Sequence, residues 1–488
     1  MSKQHGHAGA SAGARRTGAR GRCARGMATA RLAAALVLAL GAAAPPAAAT
    51  APPPTRPAAV VTNCNDDGPG SLRAAVAAAV SGDVIDLTAL TCSTITLTTG
   101  AIATGARDLS LVGPGAFALT IDAQNRDRAF LHLGTGRLSL SGLWVDNGRK
   151  YQPDGFAKGG CIASSGRVAL DHVFVTRCEA RSNDAAQFAL GGAVYARTGI
   201  DLVGGAIYSS TATDPAAFAN GGGLFTPGQV TMTYALMKFN RADLKGGAIF
   251  AGGGVAIESS FIGYGSAHTG GGIYANGNVD IRSTTIASNS AAVAGGLMAV
   301  DVGGTSALRI VGSTISTNAG AHAGVRIDGF PAAAIANSTI AFNQGPDAGG
   351  AAAGVSFAAG TTLELQSTIL ADNRVDLGGA TALRDLGSDA GGGIAPGSAN
   401  NLVTHADVAL PLPFTSAEPR LFSLSWSNGF PPTHPLSPTS PAVDAGNNAA
   451  GLAFDERGPG HPRVIGAAAD IGAYELDLAD VIFADGLD

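Results

Sequence analysis

The sequence predicts an all-β fold: a right-handed parallel β-helix of about ten or more coils, with an N-terminal capping helix and an irregular C-terminal cap. Three observations predict it. An eleven-residue motif recurs, reading VDIRSTTIASN at 279–289, LRIVGSTISTN at 308–318 and AAIANSTIAFN at 333–343. Its copies begin at Leu109, Leu138, Val168, Ile200, Val230, Val255, Val279, Leu308, Ala333 and Leu363, at intervals of 24 to 32 residues. A glycine pair followed closely by an apolar residue trails the copies, as in GGAVY (191–195), GGAIF (246–250), GGIY (271–274) and GGLM (295–298). Gly accounts for 70 of 488 residues, while charged residues make up only 14%. A period of this length, built from short alternating segments and glycine turns, is the signature of a solenoid. Alternation sends motif positions one and three inward and two and four outward. One coil cannot bury its apolar face alone, but stacked coils can. Successive parallel strands imply right-handed crossovers.

The elements follow in order. Residues 1–49 read as an over-called start plus a signal peptide, with Met27 the better initiator. A basic opening, the apolar run LAAALVLALGAAA and the small residues Ala47, Ala48 and Ala49 carry that grammar. Residues 50–62 form a Pro-rich linker. Residues 63–108 are the N-terminal cap. There SLRAAVAAAV (71–80) sets Leu72, Ala75, Val76, Ala79 and Val80 on one helical face behind a Ser71 N-cap. Residues 109–400 are the β-helix, 401–475 the C-terminal cap and 476–488 a tail. Glycine is expected at the corners between faces. Asn240, Asn289, Asn318, Asn343 and Asn373 share motif position eleven, where stacked amides can bond one another as a ladder. Three loops are longer than the rest, and each places a Phe three residues before its glycine pair: Phe156, Phe188 and Phe218. These rings are expected to stack. Beyond Cys23 in the leader, Cys64, Cys92, Cys161 and Cys178 form an even set for an oxidising compartment. Pairing Cys64 with Cys92 and Cys161 with Cys178 is the simplest of three connectivities.

The segment GPGSLRAAVAAAVSGDVIDL (68–87) resembles the SLREA-type N-terminal motif of secreted bacterial β-helix proteins, with Ala74 in place of the motif's Glu. The glycine-pair and hydrophobic-x-x-Asn motifs resemble the repeats of polymorphic outer-membrane proteins. The end is similar to the choice-of-anchor Q domain, through NGFPPTHPLSPTSPAVDAG (428–446), DERG (455–458), Arg463 and DIGAYE (470–475). These resemblances imply a secreted or surface-attached protein. They imply no particular reaction.

Seven of the 31 basic residues precede residue 50 and no acidic residue does, leaving 24 basic against 36 acidic. That balance excludes nucleic acid as the expected partner. In the C-terminal block, Asp444, Asp455, Arg457, Arg463, Asp470 and Glu475 concentrate charge. The acids alone would suit calcium. The interleaved arginines favour ion pairs that hold an irregular cap. A β-helix enzyme would need clustered outward carboxylates with a base nearby. In the outward columns at positions two and four no two acids stack. Glu258 precedes Arg282, and Asp280 precedes Arg309, by one coil, which predicts cross-coil ion pairs. The catalytic candidates are Asp171, His172 and Arg177, with Asp146, Arg149 and Lys150 one coil earlier. The long loops nominate Tyr151, Asp154, Lys158, Arg181 and Asp184 as binding residues. The functional expectation is an exported, adhesin-like, monomeric scaffold without catalysis, at the outer cell surface or beyond, that binds an extracellular glycan or a surface protein. The alternative is a lyase or hydrolase acting on acidic polysaccharide.

Overall fold

The computed structural model describes residues 59–478 apart from 185, 186, 217, 348, 350, 427 and 428. The predicted leader, and the tail beyond residue 478, lie outside the described residues. The chain winds as a right-handed parallel β-helix of about 12 turns. Each coil runs from sheet 1 (13 strands) to sheet 2 (13 strands) to sheet 3 (11 strands). Arg167–Asp171, Phe174–Thr176 and Val194–Ala196 are one such set. In sheet 1 the motif copies pair in register, Val168 with Ile200 and Leu170 with Leu202. Every motif residue at position three, from Leu111 to Leu365, is at most 2% exposed. These residues and the position-eight residues Val145 to Leu370 form one continuous core.

The front of the solenoid starts earlier than expected. The linker assigned to 50–62 ends in the strand Ala59–Val60, which pairs with Ile85 and Asp86. The apolar run Ala59, Val60 and Val61 explains this, with Val61 buried in the core. The capping helix Leu72–Ala77 is short. Ser71 Oγ accepts from the Ala74 amide at 3.2 Å, and Leu72 and Val76 are buried. Val80 lies past the helix end and is exposed, so it is not part of the packed face.

The corners correct another expectation in part. Between sheets 1 and 2, glycine turns three of the coils, with positive φ at Gly142, Gly204 and Gly312, while His172, Tyr234, Ser259, Asn337 and Ser367 hold the same place and positive φ in others. Out of sheet 2 the corner residues, among them Arg177, Ser209, Phe239, Tyr264 and Phe342, have positive φ without glycine. The stacked coils over-determine a conformation that is uncommon for non-glycine residues. The glycine pairs serve the corner into sheet 3, where the first glycine has positive φ, as at Gly191 and Gly246, and space is also tight. A Cβ on Gly191 would lie 2.2 Å from the Val194 carbonyl oxygen, and one on Gly192 2.1 Å from that of Gly222.

Polar ladders run beside the core. Asn289, Asn318 and Asn343 each donate from Nδ2 to the Oδ1 of the next asparagine, at 3.0, 2.9 and 2.8 Å, and Asn373 donates to Asp385 Oδ1 at 2.8 Å. Asn240 stands apart, because Gly265 occupies that place in the next coil. Its amide donates to the Ile207 carbonyl at 2.9 Å. Cys64 bonds Cys92, and Cys161 bonds Cys178.

After sheet 2 the chain makes an arm before it turns into sheet 3. The outgoing strands Arg149–Gln152, Glu179–Ser182, Thr211–Thr213, Arg241–Ala242, Ser266–Ala267 and Ser290–Ala291 form a six-stranded sheet. The returning strands Ala157–Lys158 and Ala189–Leu190 pair behind it, and Asn220 and Lys245 continue their line. The interior between the layers is alanine: Ala157, Ala180, Ala189, Ala212, Ala219 and Ala242. Small side chains let two backbones approach closely. At the tip, the Phe156 and Phe188 rings lie 5.9 Å apart and those of Phe188 and Phe218 5.6 Å apart.

The C-terminal segment is not simply an end cap. Around residues 406–410 it covers the last coil. Phe414–Thr415 then joins sheet 2 as its last strand, and the chain runs back along the outer face of that sheet. Thr285, Thr314, Ser316 and Thr339 on that face bond Glu456, His434 and the Ala473 amide. The expected cross-coil ion pairs are also replaced. Arg282 Nε donates to Asp280 of its own strand at 3.0 Å. Residues two apart on a strand point the same way, so Asp280 is the nearer partner.

Candidate functional site

The arm begins at the coil that carries Arg149. The preceding coil passes from Thr120–Asp122 to Phe130–His132 through a short turn with no arm strand. The arm therefore rises from the solenoid as a step. In the angle of that step lies a cleft of about 370 Å³. Leu131, Ala163, Ser164 and Ser165 line it from the solenoid side, and Lys150, Gln152, Phe156 and Lys158 from the arm. Arg128, Tyr195 and Arg197 complete it.

Its electrostatics are one-sided. No Asp or Glu is among the lining residues. Arg128 is only 8% exposed. Its Nε donates to the Gly159 carbonyl at 3.3 Å. Among the described residues no carboxylate pairs with its guanidinium. Burial pushes the pKa of that guanidinium down, against the opposing charge of Asp127. The Asp127 carboxylate instead lies 3.8 Å from Lys150 Nζ and accepts the Arg128 backbone amide. Lys158 Nζ sits 5.1 Å from the Phe156 ring centroid and 5.2 Å from that of Tyr195, a cation between two aromatic faces. Tyr195 heads a column on the outer face of sheet 3. Its ring lies 5.7 Å from Phe225, which lies 4.7 Å from Phe250, which lies 5.2 Å from Tyr274. The inner rings use their faces on one another, so Tyr195 presents the front of the column to the cleft.

His132 also borders the cleft but is fully buried. Its Nδ1 meets Ser164 Oγ at 2.7 Å, and its Nε2 meets the Ala106 and Arg107 carbonyls at 2.9 and 3.1 Å. Carbonyls only accept, so Nε2 carries a proton. Both nitrogens are occupied, and His132 is not free to act as a base.

Of the binding residues expected from the long loops, Lys158 lines the cleft. Tyr151 and Arg181 pair in register and are exposed, but alternation along the strand turns Tyr151 away from the side that Lys150 and Gln152 share. Asp154 lies at the arm tip, where its carbonyl accepts from Gln152 Nε2 at 2.9 Å. Asp184 takes its amide to Ser182 Oγ in the next arm. The catalytic candidates do not converge. Asp171 and His172 bond each other at 2.6 Å at the corner between sheets 1 and 2. Arg177 lies at the far end of the intervening strand, Phe174–Thr176, and bonds Asp146 and Asn147 one coil earlier. Asp146 also accepts from Thr176 at 2.6 Å. Arg149 pairs with Glu179 at 3.0 Å. One pair of stacked acids does exist. Asp122 and Asp146 are register neighbours on sheet 2, a face that the aligned columns of sheet 1 did not sample.

The C-terminal charges are engaged internally. Arg457 pairs with Asp455 at 2.7 Å, and Arg463 lies 3.4 Å from Glu475, all four buried. Asp470 accepts the Asp444 and Leu476 amides. Asp444 accepts those of Ala467 and Ala468. Among the described residues no group of three or more His, Cys, Asp or Glu is placed to hold a metal ion. Two groups were missed from the sequence. Glu456 is buried beneath the returning segment, and burial pushes its carboxyl up to about 8 although Thr314 and Thr285 donate to it. Burial pushes His434 down to about 4.

No family model matches the chain, and no curated protein matches it. Among solved structures, the chain is similar to the crystal structure of pectate lyase Pel9A. The identity is 15%, the match covers 86% of this chain and 97% of that one, and the TM-score is 0.36. A likeness of that degree carries no argument about activity or substrate.

Proposed function

We propose that the protein is an exported, non-catalytic β-helix scaffold that holds a glycan in the cleft at the front of its arm. One observation carries the reading: the cleft joins aromatic faces to hydroxyl and cationic groups with no carboxylate among them. Rings of this kind, with convergent polar groups in a concave site, suit a sugar's apolar face and its hydroxyls. Glycosidic hydrolysis instead needs a pair of carboxylates. Two disulfides support export to an oxidising compartment. Association with the outer cell surface is part of the proposal, resting on the resemblances of the repeats and of the C-terminal block.

The test is retention on a panel of immobilised glycans, with Phe156→Ala/Tyr195→Ala as the comparison and product formation followed on the same panel. The expected result is saturable binding by the wild type, about tenfold weaker in the variant, with no new reducing ends and no unsaturated product. Product that accumulates with enzyme concentration would overturn the scaffold reading in favour of a lyase or hydrolase.

A further inference from the structure

We infer that the group recognised in this cleft is anionic, so that the ligand is an acidic glycan bearing uronic carboxylates or ester sulfates. This rests on the glycan-binding reading and adds the ligand's charge to it. Arg128 carries the inference. Its side chain is largely buried, and burial of a cation is normally offset by a paired acid; its guanidinium opens on to the cleft. Here its only bond among the described residues is from Nε to the Gly159 carbonyl, which leaves Nη1 and Nη2 without a protein acceptor. Those nitrogens form a planar fork that matches two oxygens of a carboxylate or sulfate.

The surroundings repeat the sign. Lys158 is held between two rings, and Arg197 joins no ion pair among the described residues. Lys150 has only a long contact to Asp127. Many arginines elsewhere are paired: Arg137 and Arg167 meet Asp201, Arg177 meets Asp146, and Arg326 meets Asp328 and Asp389. The chain as a whole carries net charge −5. In this acidic chain the cleft gathers Arg128, Lys150, Lys158 and Arg197 at one concave place, with the Asp127 carboxylate near them and none among the lining residues. The space, about 370 Å³, is at the small end of the range for ligand sites. Its open front allows a longer chain to pass.

The experiment measures calorimetric binding of four glycans to the full chain: a uronic-acid oligosaccharide, its carboxyl-reduced neutral counterpart, a sulfated neutral oligosaccharide, and its desulfated form. Each is measured at low and high salt. Arg128→Lys and Lys150→Gln/Arg197→Gln are the variants. The second alters only partly or fully exposed side chains, so it tests the charge even if the first misfolds. The expected result is that one or both acidic glycans bind, with the neutral counterpart about tenfold weaker or silent. Affinity should fall with salt, and the double variant should lose about tenfold and flatten the salt slope. Preference between the uronic and the sulfated ligand identifies the source of the anion. Equal binding of acidic and neutral forms, untouched by either variant, would overturn the inference and leave the glycan reading standing. Silence of all four glycans would overturn both.

Discussion

The segment that returns over sheet 2 is fastened by two titrating groups of opposite sense, and its stability should therefore have a particular pH profile. Glu456 sits on Thr285 and Thr314, and its folded pKa of about 8 lies above its ordinary 4.5. A raised carboxyl contributes stability that is fully present below the unfolded pKa and is lost as pH rises through the folded one. The loss accumulates at about 1.4 kcal/mol per pH unit, or roughly 5 kcal/mol in all. His434 sits on Ser316 and the Phe422 carbonyl, and its folded pKa is about 4 against an ordinary 6.5. A depressed histidine contributes stability that is present above its unfolded pKa and is lost as pH falls toward 4. Between about pH 4.5 and 6.5 the His434 slope offsets that of Glu456, but Glu475, which burial has raised to about 7, adds a second falling slope. Above 6.5 the Glu456 slope continues, joined up to about pH 7 by that of Glu475. The wild type should fall by about 1.4 kcal/mol per pH unit from pH 4.5 to 6.5, then by roughly 2 kcal/mol more from pH 6.5 to 8.

Hydrogen exchange of the Thr314 and Ala473 amides, both bonded across this interface, reports the opening. Glu456→Gln keeps the size and an acceptor but cannot ionise, so the drop above pH 6.5 should shrink to the part owed to Glu475. His434→Gln should uncover the slope hidden between pH 4.5 and 6.5. Identical profiles in wild type and Glu456→Gln, or a wild type that gains stability toward pH 8, would refute the reasoning.

Three further outcomes follow from the scaffold. Asn318→Ala removes the middle of the amide ladder: the buried Asn289 backbone amide loses its side-chain acceptor and the Ile286 carbonyl its side-chain donor, while Asn343 Oδ1 keeps the backbone amide of residue 318. Chemical denaturation should show a loss of about 2 to 3 kcal/mol. Cys161→Ser/Cys178→Ser opens a crosslink of sequence separation 17 beneath the first arm, and should lower the stability of the front coils by about 3 kcal/mol in a melt without reductant. Gly192→Ala places a methyl 2.1 Å from the Gly222 carbonyl. Exchange protection should drop at that corner while the cap helix keeps its own.

The solenoid was legible because its strands carry a period of two inside a period of 24 to 32 residues. Val168 and Ile200 could be set side by side from the sequence, and they pair. The corners were legible only in part, since glycine holds some of them, such as Gly204 and Gly312, and not others. Glycine permits positive φ, but stacking can also impose it on His172 or Phe342, and nothing local to those residues announces it. The same limit explains the ion pairs. Register showed Glu258 opposite Arg282, but it did not show that Asp280, two residues away on the same face, was the better partner.

The cleft was hidden for a different reason. It is made by a difference between neighbours: one coil has an arm and the coil before it has none. Lys158 drew notice because it lies in a long loop. Arg128 lies in a short turn between repeats, outside every aligned column. Its meaning depends on its having no paired carboxylate among the described residues, and sequence shows residues but not their pairing. Glu456 presents the converse. It stands within DERG, where its neighbours Asp455 and Arg457 explain each other locally. Its own partners, Thr285 and Thr314, are 171 and 142 residues away. A repeat motif records what every coil must do to stack. The groups that distinguish this protein lie where one coil departs from its neighbours or where a distant segment lies down upon them, and for both, geometry has to come first.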